Sequence, residues 1–190
     1  MIARRALVAA VAVALLAGCT TTPNWSDDPG LLGNRLEEAI EAVPGVTGAS
    51  VTVNNGSIGV SFGTDAATEQ DYLDTLEAAI AACAESTLGQ RKRIAINASP
   101  EGTLSMRNVD PADLDTVLAA ARILWKYSTD DAVEIDSASN YGYLAAREFG
   151  IRLYVADESL VAPTLAELTA LVDDAGLLHS PVGLRVEVSP

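Results

Sequence analysis

Apolar residues along the chain alternate between helical and strand spacing. Leu32, Leu36, Ala39, Ile40 and Val43 keep the three-and-four spacing of one helix face until Pro44-Gly45 interrupts it. Ala49, Val51 and Val53 then alternate with polar residues, Asn54-Asn55-Gly56-Ser57 supplies a turn tolerant of positive φ, and Ile58, Val60 and Phe62 alternate again. That combination predicts a β-hairpin. A long amphipathic helix is expected over residues 68–88, with Tyr72, Leu76, Ala79, Ile80, Cys83 and Thr87 on its apolar stripe, and Ile94 and Ile96 mark another strand.

The same order returns further on. Asp110-Pro111 reads as an N-cap followed by a first-turn proline, with Asp113 favourable to the helix dipole, and Leu114, Val117, Leu118, Ala121, Leu124 and Trp125 continue as an apolar stripe. Strands are expected around Val133-Ile135 and at Ile151, Leu153 and Val155. Thr164-Leu165-Ala166-Glu167 has the spacing of a capping box opening a helix lined by Leu165, Leu168, Leu171 and Val172, and Leu184, Val186 and Val188 close the series as a strand. Gly102-Thr103-Leu104-Ser105-Met106 offers an extra strand before this second half.

The fold class expected is α+β: two α-β-β-α-β halves, residues 30–108 and 109–190, forming one antiparallel or mixed sheet with helices packed on one face. Two small lobes facing each other across a cleft are the alternative. The helix-strand-strand-helix order is similar to that of small envelope-binding modules such as BON domains, an analogy of order that no diagnostic motif accompanies.

The N-terminus has a different composition. Met1-Ile2-Ala3-Arg4-Arg5 is basic, and residues 6–17 are an apolar run too short for a bilayer span of about 20 residues. Leu16-Ala17-Gly18-Cys19 ends that run and resembles the lipobox of bacterial lipoproteins. The resemblance covers residues 1–19 and implies that residues 1–18 are a signal peptide and that Cys19 becomes the diacylated first residue. It also implies a chain held on the extracytoplasmic face of the cell membrane, with the lipid bilayer as its partner through acylated Cys19. Two acyl chains anchor stably without a transmembrane helix. Residues 19–29 read as a tether; its nine residues 20–28 reach roughly 30 Å when fully stretched. Residues 30–190 then form a single domain.

Charge narrows the partners. The chain carries 12 basic and 26 acidic side chains, a net charge of −14, and cleavage before Cys19 removes Arg4 and Arg5 to leave −16. Such a surface repels nucleic acid, which is not expected as a partner. The acidic doublets Asp27-Asp28, Asp130-Asp131, Asp157-Glu158 and Asp173-Asp174 are expected to cap helices and solvate turns; calcium is the competing use, but no D-x-[DN]-x-[DN]-G loop is present. Arg91-Lys92-Arg93, the one basic run, reads as edge protection of the strand it enters or as a dock for an acidic partner. With Cys19 acylated, Cys83 has no intramolecular partner and is expected as a small buried hydrophobe.

Little points to catalysis. The one G-x-S-x-G match, Gly59-Val60-Ser61-Phe62-Gly63, lies inside the alternating strand pattern and not at a strand-to-helix elbow, and S-x-x-K, H-E-x-x-H and phosphate-cradling glycine loops are absent, so no catalytic residue, metal or cofactor is assigned. His179, the single histidine, is expected to cap helix carbonyls. The two halves differ most between their paired strands. The first has a tight turn where the second carries residues 137–148, from which Asn140, Tyr141, Tyr143 and Arg147 offer stacking faces, donors and a fixed cation. These four are the candidates for contact with a small polar ligand or an envelope protein. A short helix over residues 143–148 covering the sheet edge is the competing reading. The function expected is a non-enzymatic binding module of the cell envelope, with a carboxylate-dependent envelope enzyme or a structural self-associating lipoprotein as alternatives.

Overall fold

Side-chain oxygens set the helix starts. Thr68 accepts from the Asp71 N–H at 3.2 Å and opens α2, Asp110 accepts from the Ala112 N–H at 2.9 Å ahead of a 3-10 turn, and Asp157 accepts from the Ser159 N–H at 2.7 Å at the start of α4. A computed structural model describes residues 29–54, 57–86, 94–99, 104–128, 133–135, 142–145 and 148–190. Among them the order is α1 (Pro29–Glu41), β1 (Val46–Asn54), β2 (Ser57–Thr64), α2 (Glu69–Glu85), β3 (Ile94–Ser99), β4 (Leu104–Val109), the 3-10 turn Pro111–Asp113, α3 (Leu114–Ser128), β5 (Val133–Ile135), β6 (Gly142–Ala145), β7 (Glu148–Val155), α4 (Glu158–Asp174) and β8 (Leu184–Val188). The chain is α+β.

The strand ladders depart from the single sheet expected. They connect in the order β1-β2-β3-β4-β6-β7-β5, with β8 on β7 off that path. β7 is the junction. Its first residues, 148–150, pair with β6, residues 151–155 pair with β8, and residues 153–155 pair with β5 as well. The ladders therefore fall into two groups sharing β7, because β6 is too short to follow β7 along its whole length.

Pairing repeats across the halves. β1–β2 is antiparallel with Val51 opposite Val60, and β2–β3 is parallel with Val60 opposite Ile96. β5–β7 is antiparallel with Ile135 opposite Leu153, and β7–β8 is parallel with Leu153 opposite Val186. In both, a 17-residue helix, α2 or α4, makes the crossover between the parallel strands. Strands β4 and β6 have no counterpart in that pattern, and their parallel pairing, Met106 with Gly142 and Arg107 with Tyr143, joins the halves.

Alternation decides which strand residues reach the core. Ile58, Val60 and Phe62 on β2, Ile151, Leu153 and Val155 on β7, and Leu184 and Val186 on β8 are buried, whereas Ser61, Arg185 and Glu187 between them are exposed. The four helices feed the same core through Leu36 and Ile40, through Tyr72, Leu76 and Ile80, through Val117, Ala121 and Leu124, and through Leu168 and Val172. Each such aliphatic side chain contributes about 1.5–3 kcal/mol on burial. Between α2 and α3 the Tyr72 and Trp125 rings stack, with centroids 5.0 Å apart. Ion pairs tie α3 to both neighbours, Arg122 to Glu69 at 3.7 Å and Lys126 to Glu167.

Three local expectations are corrected. α4 begins at Asp157, not at Thr164, because Asp157 has the extended backbone of an N-cap and satisfies the Ser159 N–H; Thr164 lies within the helix, beyond Pro163, and Glu167 turns to Lys126. β3 is an interior strand, paired to β2 on one side and β4 on the other, so the basic run entering it guards no edge. Residues 143–145 belong to strand β6 and Glu148 opens β7, so the short-helix reading of 143–148 fails: cross-strand pairing with β4 and β7 overrides the local helix propensity.

Candidate functional site

The excursion of residues 137–148 is where the second half departs from the first. In the first half Asn54 and Ser57 pair directly across the turn, whereas in the second the chain leaves β5 at Ile135 and returns at Glu148 only after forming β6. β6 enters the seam between the halves. Tyr143 is held there by backbone pairing with Arg107 of β4 on one side and Gly150 of β7 on the other. Asn140, Tyr141 and Arg147, the other candidates of this segment, lie outside the described residues, as do Cys19 and the Arg91-Lys92-Arg93 run.

His179 does not cap helix carbonyls. The end of α4 is closed by its own backbone: the Leu177 N–H donates to the Val172 carbonyl at 3.1 Å and the Gly176 N–H to the Asp173 carbonyl at 3.0 Å. Gly176 has φ +67°, and Leu177 is buried after it, which completes a Schellman closure. With the carbonyls satisfied, His179 Nε2 meets the Asp173 carboxylate at 2.9 Å instead. The glycine after the last apolar helix position was the sequence signal for this closure.

Cys83 is a free, buried thiol, and burial pushes its pKa up to about 12. Since the thiolate is the nucleophile, a group so placed is inert near neutral pH. Asp157 sits below the usual carboxylate range because its oxygens accept from Ser159. Among the described residues no three or more His, Cys, Asp or Glu side chains gather where they would hold a metal ion, and no helix is long and apolar enough to cross a membrane.

Sequence reasoning overlooked Glu37. Its carboxylate accepts from the Val51 N–H of β1 at 2.8 Å, so α1 closes the outer edge of the first strand. No protein-family model matches the chain, and no curated protein or solved structure is detectably similar to it.

Proposed function

We propose that this chain is a lipid-anchored module on the extracytoplasmic face of the cell membrane, attached through acylated Cys19, which binds an envelope protein or a small polar ligand without catalysis. Residues 30–108 and 109–190 act in this reading as two α-β-β-α-β modules with helices over one face, similar in element order to envelope-binding modules. The second has been extended by the segment that contains β6.

The observation that carries the reading is this extension. A tight turn suffices to connect the corresponding strands of the first half, so pairing β5 with β7 does not need the longer connection, of which β6 joins the halves. Binding residues concentrate on such segments when rigid elements hold both ends. Tyr143 lies on β6 between β4 and β7, with Asn140, Tyr141 and Arg147 close to it in sequence.

The test is extraction of the protein from membranes beside a Tyr143→Ala, Arg147→Ala form, with companions quantified by mass spectrometry. A stoichiometric companion lost from the double variant, while both forms retain the same circular dichroism, is the expected result. Companions identical in the two forms would remove residues 137–148 as the contact site.

A further inference from the structure

Two edge strands, β1 and β8, are treated differently. At β1 the outer edge is occupied by Glu37 of α1. At β8 the ladder partner is β7, and among the described residues no strand pairs with the opposite edge. We infer that this open β8 edge pairs antiparallel with β8 of a second copy, about a two-fold axis at Val186. This goes beyond the binding role proposed above and does not depend on it.

Backbone direction fixes which groups are on offer. The Ile151 N–H donates to the Gly183 carbonyl at 2.7 Å and the Ser189 N–H donates to the Val155 carbonyl at 2.9 Å, so residues 183 and 189 point their backbone groups at β7. By alternation Arg185 and Glu187 do the same, and the N–H and C=O groups of Leu184, Val186 and Val188 face outward. An antiparallel copy centred on Val186 sets Val186 opposite Val186 and Leu184 opposite Val188 as hydrogen-bonded pairs. Arg185 then falls opposite Glu187 of the other copy, twice by symmetry.

Charge selects this register. Sliding the copy by one pleat in either direction sets Arg185 against Arg185 or Glu187 against Glu187, which like-charge repulsion disfavours. Both side chains are exposed and available. Among the described residues Arg185 makes a 3.3 Å contact from Nε to the Val182 carbonyl and none from its terminal nitrogens, and Glu187 has no side-chain partner. On the core face Val188, 37 % exposed, would be covered by Leu184 of the second copy. A five-residue seam is small beside a standard interface, so the pairing is weak and a register-specific trap suits it best.

The experiment mixes full-length Arg185→Cys and Glu187→Cys chains, both carrying Cys19→Ser, under mild oxidation and maps linkages by mass spectrometry, Cys83 being buried. Residues 185 and 187 form the close, non-hydrogen-bonded pair, so the mixture should give disulfides joining position 185 of one copy to position 187 of the other, and each variant alone should stay uncross-linked. Alongside, Arg185→Glu should weaken self-association in sedimentation about tenfold, and Arg185→Glu with Glu187→Arg should restore it. No cross-link in the mixture, equal cross-linking of each variant with itself, or failure of the double reversal to restore association would overturn the pairing.

Discussion

The backbone N–H of Val51 in β1 donates to the carboxylate of Glu37 in α1 at 2.8 Å. An amide on the outer edge of an end strand otherwise turns to water or to another chain, so one helix carboxylate both satisfies the donor and blocks that edge. Glu37→Ala should lower stability by about 1.5–3 kcal/mol, the range of a hydrogen bond to a charged group. It should also speed hydrogen exchange at Val51 more than at Val60, whose strand β2 is flanked on both sides. Denaturant midpoints and amide exchange check this. Unchanged Val51 exchange would mean that the carboxylate does not guard the edge.

Gly45 joins α1 to β1 at φ +90°, and a Cβ there would come within 2.6 Å of Thr75 Oγ1. That hydroxyl is buried and committed, donating to the Asp71 carbonyl at 2.9 Å. Gly45→Ala adds both a left-handed non-glycine residue and a clash, and should destabilise the fold by about 1–3 kcal/mol, read from the urea midpoint. Gly176→Ala, at φ +67° with nothing within 4 Å of the added carbon, should cost less.

Burial raises the pKa of two groups on α2: the Tyr72 phenol is driven well above its ordinary range and the Cys83 thiol up to about 12. Both ionise more readily in the unfolded chain, so the stability they contribute is complete below the unfolded values of about 8.5 for the thiol and 10 for the phenol, and is lost as pH rises beyond them. Stability should therefore fall on the alkaline side, and Tyr72→Phe with Cys83→Ala should flatten that limb. Tyr72→Phe alone should be neutral or stabilising at pH 7, because the buried hydroxyl has no hydrogen-bond partner among the described residues while the ring stack on Trp125 is retained. Tyr72→Ala should cost about 3–5 kcal/mol, the usual loss for a buried aromatic.

On the acid side the sign reverses. Asp157 is held below the carboxylate range by Ser159, so its contribution is present above the unfolded value and fades as pH falls through the lower, folded one. Asp157→Ala should remove that part of the acid dependence and loosen the first turn of α4, visible as faster exchange of the Ser159 amide. An unaltered acid limb and unaltered exchange would show that the cap contributes nothing in solution.

Elements whose signals are local were legible in the sequence. The hairpin read from Ala49 to Phe62 pairs as its alternation required, and the stripe from Tyr72 to Cys83 is the buried face of α2. The extra strand near Leu104 is β4. Where partners distant in sequence decide, the pattern fell short. Tyr143-Leu144-Ala145 carries helix-compatible residues yet becomes β6, since β4, more than thirty residues earlier, supplies its ladder. The basic run looked like edge protection because nothing in residues 91–99 shows that β4 will cover that side. Thr164-Leu165-Ala166-Glu167 has capping-box spacing, but Asp157 nucleates the helix earlier and Lys126 on α3 takes Glu167. Of the candidate contact residues, Tyr143 has a place in the fold through its backbone pairing, while the importance of residues 137–148 was readable only as the length difference between the two halves.

Attachment at Cys19 is the claim on which the proposed function rests, and the intact mass of the membrane-extracted protein, beside a Cys19→Ser form, tests it most directly. A chain beginning at residue 19 with the added mass of a diacylglyceryl group, and a Cys19→Ser form that is no longer so processed and lacks that mass, is the predicted result. An unmodified chain that washes freely from membranes in both forms would contradict it.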